Sequence, residues 1–294
     1  MIIVKLMGGL GNQMFQYATG LSLAHTHHTE LLIDPSFLNA DAKGSYTQRR
    51  LELDCFALDL KIASEEDIKH FNISGAHKLK RVLQRTFPGA YRYLYVAENT
   101  FEYQPGFENY PANTYLSGFW QSERYFKNIK PLLLKAFTPK ASPTIENREW
   151  MAKMQNTESV SLHIRRGDYI TNKNASAHHG SCDLPYYYRA LEHIKKIHPK
   201  IEVFVFSDDL PWCEQNLELT DPVHFISSNQ TAHPYYDLVL MNHCRHNIIA
   251  NSSFSWWGAW LNPNPEKIVV APLNWFATKE INTADLIPSG WIRL

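Results

Sequence analysis

The chain has 294 residues, 44% hydrophobic and 20% charged, which suits a globular protein with room for two domains of ordinary size. Its 29 Lys plus Arg balance 29 Asp plus Glu, so the basic footprint of a nucleic-acid binder is excluded and any anion site must be local. Cys55, Cys182, Cys213 and Cys244 lack C-x-x-C spacing, which argues against a zinc knuckle or a disulfide framework and suits a reducing compartment. No apolar run approaches membrane-span length, and no basic-then-apolar leader precedes the first strand. The expectation is a cytoplasmic protein, at most peripheral at the inner membrane, without stable membrane insertion.

Ile2 to Leu6 reads as a buried strand. Met7-Gly8-Gly9-Leu10-Gly11-Asn12-Gln13 follows as a glycine loop, and a helix is expected from about Met14 to His25 with Met14, Tyr17, Ala18, Leu21 and Ala24 on one apolar face. Leu31 to Asp34 is the next strand, ended by Pro35. The order strand, glycine loop, helix, strand is that of a nucleotide-binding half-unit. It lacks G-x-G-x-x-G and the NTPase loop, so Gly9 and Gly11 serve either a tight turn or close approach to a ligand.

Residues 40–150 are less regular, with helical patches at Glu65–Phe71 and Lys78–Gln84, a strand at Thr114–Gly118 and aromatic residues at Phe119-Trp120. Thr138 to Pro143 is turn-rich and reads as a linker. Beyond it, strands at 159–164, 201–206, 223–226, 247–250 and 268–271 alternate with helices near 184–198, Trp212, 234–244 and 254–261. Short buried strands alternating with helices predict parallel sheets. The fold expected is α/β and GT-B-like, with two Rossmann-like domains, 1–150 and 151–294, facing each other across a cleft.

Three strand ends in the second half carry polar residues: His163-Ile164-Arg165-Arg166-Gly167-Asp168, Ser207-Asp208-Asp209 and Asn251-Ser252-Ser253. Ligands bind beyond the carboxyl ends of parallel strands. The Arg165–Arg166 pair offers rigid, permanently charged forks suited to a diphosphate, or else a surface ion pair. Ser252 and Ser253 precede a helix, where they either cap it or seat a phosphate on its free N–H groups. Asp237 opens the preceding helix; it either reads the N1–H and 2-amino group of guanine or simply suits a helix start. Asp208-Asp209 holds a metal, contacts a ribose or is structural. His178-His179 and His243-x-x-His246 lack a third ligand and read as solvated or core residues.

The blocks Gly8-Gly9-Leu10-Gly11-Asn12-Gln13-Met14-Phe15-Gln16-Tyr17-Ala18, His163 to Tyr169, Phe206-Ser207-Asp208-Asp209 and Asn251 to Leu261 together resemble the α-1,2-fucosyltransferases of bacteria and animals. The resemblance implies a galactoside 2-α-L-fucosyltransferase of GT-B type. Such an enzyme uses GDP-L-fucose and a galactose-terminated oligosaccharide, inverts the anomeric centre and requires no metal or other cofactor. By matching position, Arg165 looks like the holder of the β-phosphate, with Arg166 in support and His163 near the nucleotide. Ser252, Ser253 and Phe254 fall at the phosphate-holding helix start, with Asn251 just ahead of it. Asp237 falls at the guanine-reading acid, and Asn12 at a donor-facing asparagine of the glycine loop.

Some relatives keep a glutamate base shortly after the arginine pair, where this chain has Asn172-Lys173-Asn174. The base is therefore open among Asp168, His163 and a group in the N-terminal domain. Two readings from other classes compete. One is a metal-dependent transferase for another sugar nucleotide, the other a non-catalytic carbohydrate-binding protein built on the aromatic clusters.

Overall fold

The computed structural model describes residues 1–39, 49–71, 92–166, 182–229, 233–277 and 281–294. They form two compact units: Met1–Lys140 with Asn282–Leu286, and Ala141–Ile281 with Ile287–Leu294. The boundary falls within the turn-rich Thr138–Pro143 stretch. A division after residue 150 would cut helix Ile145–Asn156, and Asn282–Leu286 rejoins the first unit, where Asp285 accepts the Tyr103 N–H at 2.9 Å. The patch Lys78–Gln84 lies outside the described residues.

The first unit holds strands β1 (Ile2–Lys5), β2 (Leu31–Asp34), β3 (Leu94–Ala97) and β4 (Thr114–Ser117). They pair entirely in parallel, in the order β2-β1-β4-β3. Ile2, Ile3 and Val4 are fully buried, as expected of a strand covered on both faces. Helix α1 (Leu10–Thr26) starts four residues earlier than its apolar period suggests, so Gly11 and Asn12 are helical rather than looped. Two partners explain the early start. Gly9 adopts an extended N-cap conformation, and Glu52 Oε2 accepts the otherwise unmet Leu10 N–H at 2.8 Å.

Nor is α1 apolar on one side only. Gln13, Gln16 and Thr19 are fully buried on it. Gln16 accepts the Met7 N–H at 2.9 Å, and Gln13 donates to the Gly8 and Arg50 carbonyls at 2.9 and 2.8 Å. These amides make the backbone bonds that the glycine loop cannot make for itself.

The second unit holds β5 (Ser159–Ile164), β6 (Glu202–Ser207), β7 (Val223–Phe225), β8 (His246–Ile248), β9 (Val269–Ala271) and β10 (Ile292–Arg293). All are parallel, in the order β10-β9-β8-β5-β6-β7. Its helices are α2 (Ile145–Asn156), α3 (Leu184–Lys195), α4 (Leu210–Asn216), α5 (Tyr236–His243) and α6 (Ser253–Leu261). Val160, Leu162, Val203, Val205, Ile248 and Val270 form one fully buried layer, and the polar residues on the other face of β5, Ser159, Ser161 and His163, are buried as well. Among the described residues no helix is long and apolar enough to cross a membrane.

Candidate active site

Parallel sheets bind ligands where the chain order reverses. In the second sheet, β5, β6 and β7 run to one side and β8, β9 and β10 to the other, so the reversal lies between β5 and β8. These strands pair with Leu162 opposite Ile248. His163, Arg165 and Arg166 end one strand, and Asn251, Ser252 and Ser253 follow the other. The fold therefore brings together, at one edge, the two blocks singled out from the sequence.

Neighbouring β6 supplies the acids. Arg165 Nη1 lies 2.9 Å from Asp208 Oδ2. Arg166 donates its backbone N–H to Asp208 Oδ1 at 2.9 Å and its Nε–H to Asp209 Oδ2 at 3.2 Å, while its guanidinium sits 3.5 Å from the centre of the Trp212 ring. Asp209 also caps α4 by accepting the Trp212 N–H at 3.3 Å. Of the readings open for the acidic pair, orienting the arginines is the one this geometry supports. A guanidinium is a planar fork of five N–H donors, so these pairings fix the orientation of both forks.

His163 is buried, its ring 6.1 Å from that of Phe254, and its Nδ1 has no hydrogen-bond partner. Burial, then the Arg165 charge, push its pKa far below the ordinary histidine range, with Asp208 offsetting part. The ring is neutral at pH 7 and a poor proton acceptor, but its unmet nitrogen suits a hydrogen bond to a ligand. Asp168 lies outside the described residues.

Ser252 is the N-cap of α6; its Oγ accepts the Phe254 N–H at 3.3 Å, and Ser253 opens the helix. Asn251 is buried and donates to the Trp275 carbonyl at 3.2 Å. Capping and anion binding coexist here, because one side chain satisfies only one of the free N–H groups of a helix start.

Asp237 stands in the first turn of α5. Asn229 Nδ2 donates to its Oδ1 at 3.0 Å, and Asn147 of α2 donates to Asn229 Oδ1 at 2.9 Å. Burial pushes the Asp237 carboxyl up to about 7, which the Asn229 bond offsets only in part. A carboxylate held from one side by an amide keeps its second oxygen for a donor.

In the first sheet the order reverses between β1 and β4. Gly8 has φ +74°, and a Cβ there would lie 2.5 Å from Asn12 Nδ2. Gly9 accepts the Asn12 N–H at 2.9 Å. Asn12 Oδ1 in turn accepts from Gln121 Nε2 at 2.7 Å, bridging the reversal point. Gln121 follows Trp120, which holds φ +56°. That uncommon conformation is secured by Glu98, whose two carboxylate oxygens accept the Phe119 and Trp120 N–H groups at 2.6 and 3.0 Å. Burial pushes the Glu98 carboxyl up to about 7, and the two amide bonds pull it back only in part. Glu98 and Gln121 were missed from sequence. The signal available was an acid directly after a short alternating run, Leu94-Tyr95-Val96-Ala97, much as Asp34 ends β2.

Among the described residues one His/Glu cluster has metal-like spacing: Glu158, His198 and His246. Its chemistry does not suit a cation. His246 Nδ1 accepts the Ile268 N–H at 3.0 Å, so Nε2 carries the ring proton and donates to Glu158 at 2.7 Å. It also lies at the amino ends of β5 and β8, the edge opposite the arginines.

Known proteins resemble the chain throughout. It is 33% identical over 302 residues to an Escherichia coli alpha-1,2-colitosyltransferase, covering 100% of this chain and 98% of that protein. With the Escherichia coli O-antigen biosynthesis glycosyltransferase WbnK it shares 34% over 304 residues, covering 98% and 99%. An Arabidopsis thaliana FUT1 mutant in complex with GDP matches with a TM-score of 0.52 at 10% identity, over 93% of this chain and 71% of that one, a likeness in fold, which is GT-B-like. The model of glycosyl transferase family 11 matches residues 1–294, and the chain belongs to that family.

Proposed function

We propose that the protein transfers L-fucose from GDP-β-L-fucose to O2 of a terminal β-galactoside, with inversion at C1 and without a metal. The observation that carries this reading is the juxtaposition of Arg165 and the start of α6 at the reversal between β5 and β8. A diphosphate seated there meets a guanidinium, a helix start and the buried Nδ1 of His163. Asp237, held by Asn229, takes the N1–H and 2-amino group of guanine, an edge that adenine and the pyrimidines lack. The α-1,2 linkage follows the names of the relatives.

The acceptor O2 attacks C1 from the face opposite the diphosphate. Negative charge grows on the departing β-phosphate, where Arg165 and the N–H groups of the α6 start stabilise it. Loss of one such preorganised donor typically costs about 10²- to 10³-fold in rate. These groups supply the positive charge that a divalent ion would otherwise bring. A second donor is favoured by one relative's name: colitose is fucose without its 3-hydroxyl, and the same diphosphate site accepts its GDP derivative.

Incubation with GDP-fucose, GDP-colitose and other nucleotide sugars, over a panel of β-galactosides with and without chelator, tests the reading. Chelator-resistant transfer from GDP-fucose giving an α-1,2 product is expected. Transfer from GDP-colitose alone would correct the sugar, and transfer from neither would overturn the proposal.

A further inference from the structure

The proposed guanine contact depends on how the Asp237 carboxylate is held, and two amides from distant parts of the chain stand behind it. Asn229 Nδ2 donates to Asp237 Oδ1 at 3.0 Å, and Asn147 Nδ2, on α2, donates to Asn229 Oδ1 at 2.9 Å. Both amides are buried, Asn147 at 0% and Asn229 at 2% exposure. All three residues belong to the second unit.

Helices α2 and α5 are joined without these amides. Trp150, Met151 and Met154 of α2 pack in one apolar cluster with Leu240 and Met241 of α5, and the Tyr236 hydroxyl at the start of α5 donates to the Ala141 carbonyl at 2.5 Å. The start of α2 is capped by Thr144, whose Oγ1 accepts the Asn147 N–H at 3.1 Å, so the Asn147 side chain is not needed there. What the two amides have is a direction. An ionised carboxylate only accepts, so Asn229 must turn its Nδ2 to Asp237; its Oδ1 then faces Asn147, which must turn its own Nδ2. The chain ends on Asn147 Oδ1, which is buried without a partner among the described residues. An unmet buried acceptor is uncommon, and here it is the consequence of a polarity imposed from the Asp237 end. The opposite polarity would aim Asn229 Oδ1 at Asp237 and would need a proton on that acid.

We infer that Asn147 and Asn229 are positioning residues for the donor's base: they hold the Asp237 carboxylate ionised and fixed for the guanine edge, and so set the preference for guanine. Asn147, fully buried, acts through Asn229 alone. The relay does two things. A bond on Oδ1 stops the carboxylate from turning and leaves its other oxygen for guanine. The same bond opposes burial, which pushes the Asp237 carboxyl up to about 7. Among the described residues burial and the Asn229 bond alone act on that carboxyl, so no charged neighbour can take the place of the relay. The inference rests on the proposed reading of guanine by Asp237.

The test measures binding of GDP and of inorganic pyrophosphate to wild type, Asn147→Ala and Asp237→Asn by calorimetry, across a pH range spanning neutrality. Asn147→Ala should lose GDP affinity by about 3- to 10-fold at pH 7, the effect of one hydrogen bond. The pH below which GDP affinity falls should move upward from about 7, because a carboxyl with a weakened donor is harder to ionise. Pyrophosphate, held on the proposed reading by Arg165 and the α6 start, should bind as it does to wild type. A GDP affinity within about twofold of wild type at pH 7, or a fall that does not move, would overturn the inference. So would a parallel loss of pyrophosphate affinity, which marks a merely structural amide. Should Asn147→Ala not fold, Asn147→Leu, which fills the space with an apolar side chain, must show the same upward move; an unmoved fall overturns the inference. If Asp237→Asn binds GDP as tightly as wild type, the reading of guanine by Asp237 has itself failed. If Asp237→Asn loses affinity and Asn147→Ala does not, only the relay has failed.

Discussion

The carboxyl edge of the second sheet is ionic. Arg165 and Arg166 face Asp208 and Asp209, and a helix start adds partial positive charge. The corresponding edge of the first sheet is built from amides, Asn12 and Gln121, and from carboxylates held by uncharged donors: Glu98 by backbone N–H groups, Asp34 by the Tyr115 hydroxyl and the Ser36 N–H. The ionic edge suits the diphosphate proposed for it. A diphosphate is recognised by fixed charge, and a neutral sugar by hydrogen bonds whose directions are set in advance. Perturbing the ionic edge is therefore expected to cost more, and to act on different kinetic constants, than perturbing the amide edge.

The largest effect is expected at Arg165. Arg165→Ala should lower kcat by about 10²- to 10³-fold in steady-state assays, with Arg165→Lys intermediate because it keeps the charge and loses the fork. Next comes Asp237→Asn, which keeps the Asn229 bond but loses charge. GDP affinity should fall by about 10- to 100-fold by calorimetry, given roughly 1.5–3 kcal/mol for a hydrogen bond to a charged group.

Asp237 also predicts a pH dependence. Guanine needs the ionised carboxylate, and the free protein's carboxyl is raised to about 7. GDP affinity should therefore be flat above that pH and fall below it, and the slope should vanish in Asp237→Asn. A shared slope in both proteins would remove guanine from Asp237. The sign for stability is the reverse. A carboxyl raised from 3.8 to about 7 stabilises the fold most at low pH, and that contribution is lost as pH rises through about 7.

On the first edge, Gly118→Ala forces a Cβ to 2.3 Å from Glu98 Cβ. Overpacking of this kind costs about 1–3 kcal/mol, read as a lowered melting temperature, and an unchanged melting point would mean the turn yields freely. Asn12→Ala should be mildest. Loss of its bond to Gln121, a neutral hydrogen bond worth about 0.5–1.5 kcal/mol, should lower the melting temperature slightly, and an unchanged melting point would mean that the bond contributes nothing to stability.

The difference between the edges also explains what was legible in the sequence. Charged dipeptides after apolar strands, as at Arg165-Arg166 and Asp208-Asp209, stand out because charges seldom sit there without a partner or ligand. The second unit was readable for the same reason: its inner strands β5, β6, β8 and β9 are buried on both faces and bounded by polar turns. In the first unit, β3 has four residues, and Glu98 draws its role from Gly118, Phe119 and Trp120, about twenty positions away. No local pattern encodes such a partnership. The start of α1 was misplaced because its caps are a glycine and the distant Glu52, not the Ser, Thr, Asp or Asn that announce a helix. Helix α2, apolar on no continuous face, gave no periodic signal, though its Asn147 stands behind Asn229 and Asp237.

A crystal structure of the GDP complex addresses the central claim most directly. The β-phosphate should lie within hydrogen-bond reach of both the Arg165 guanidinium and the backbone N–H groups that the Ser252 cap leaves free at the start of α6. A diphosphate bound elsewhere on the second unit, or touching only one of these two elements, would contradict the account.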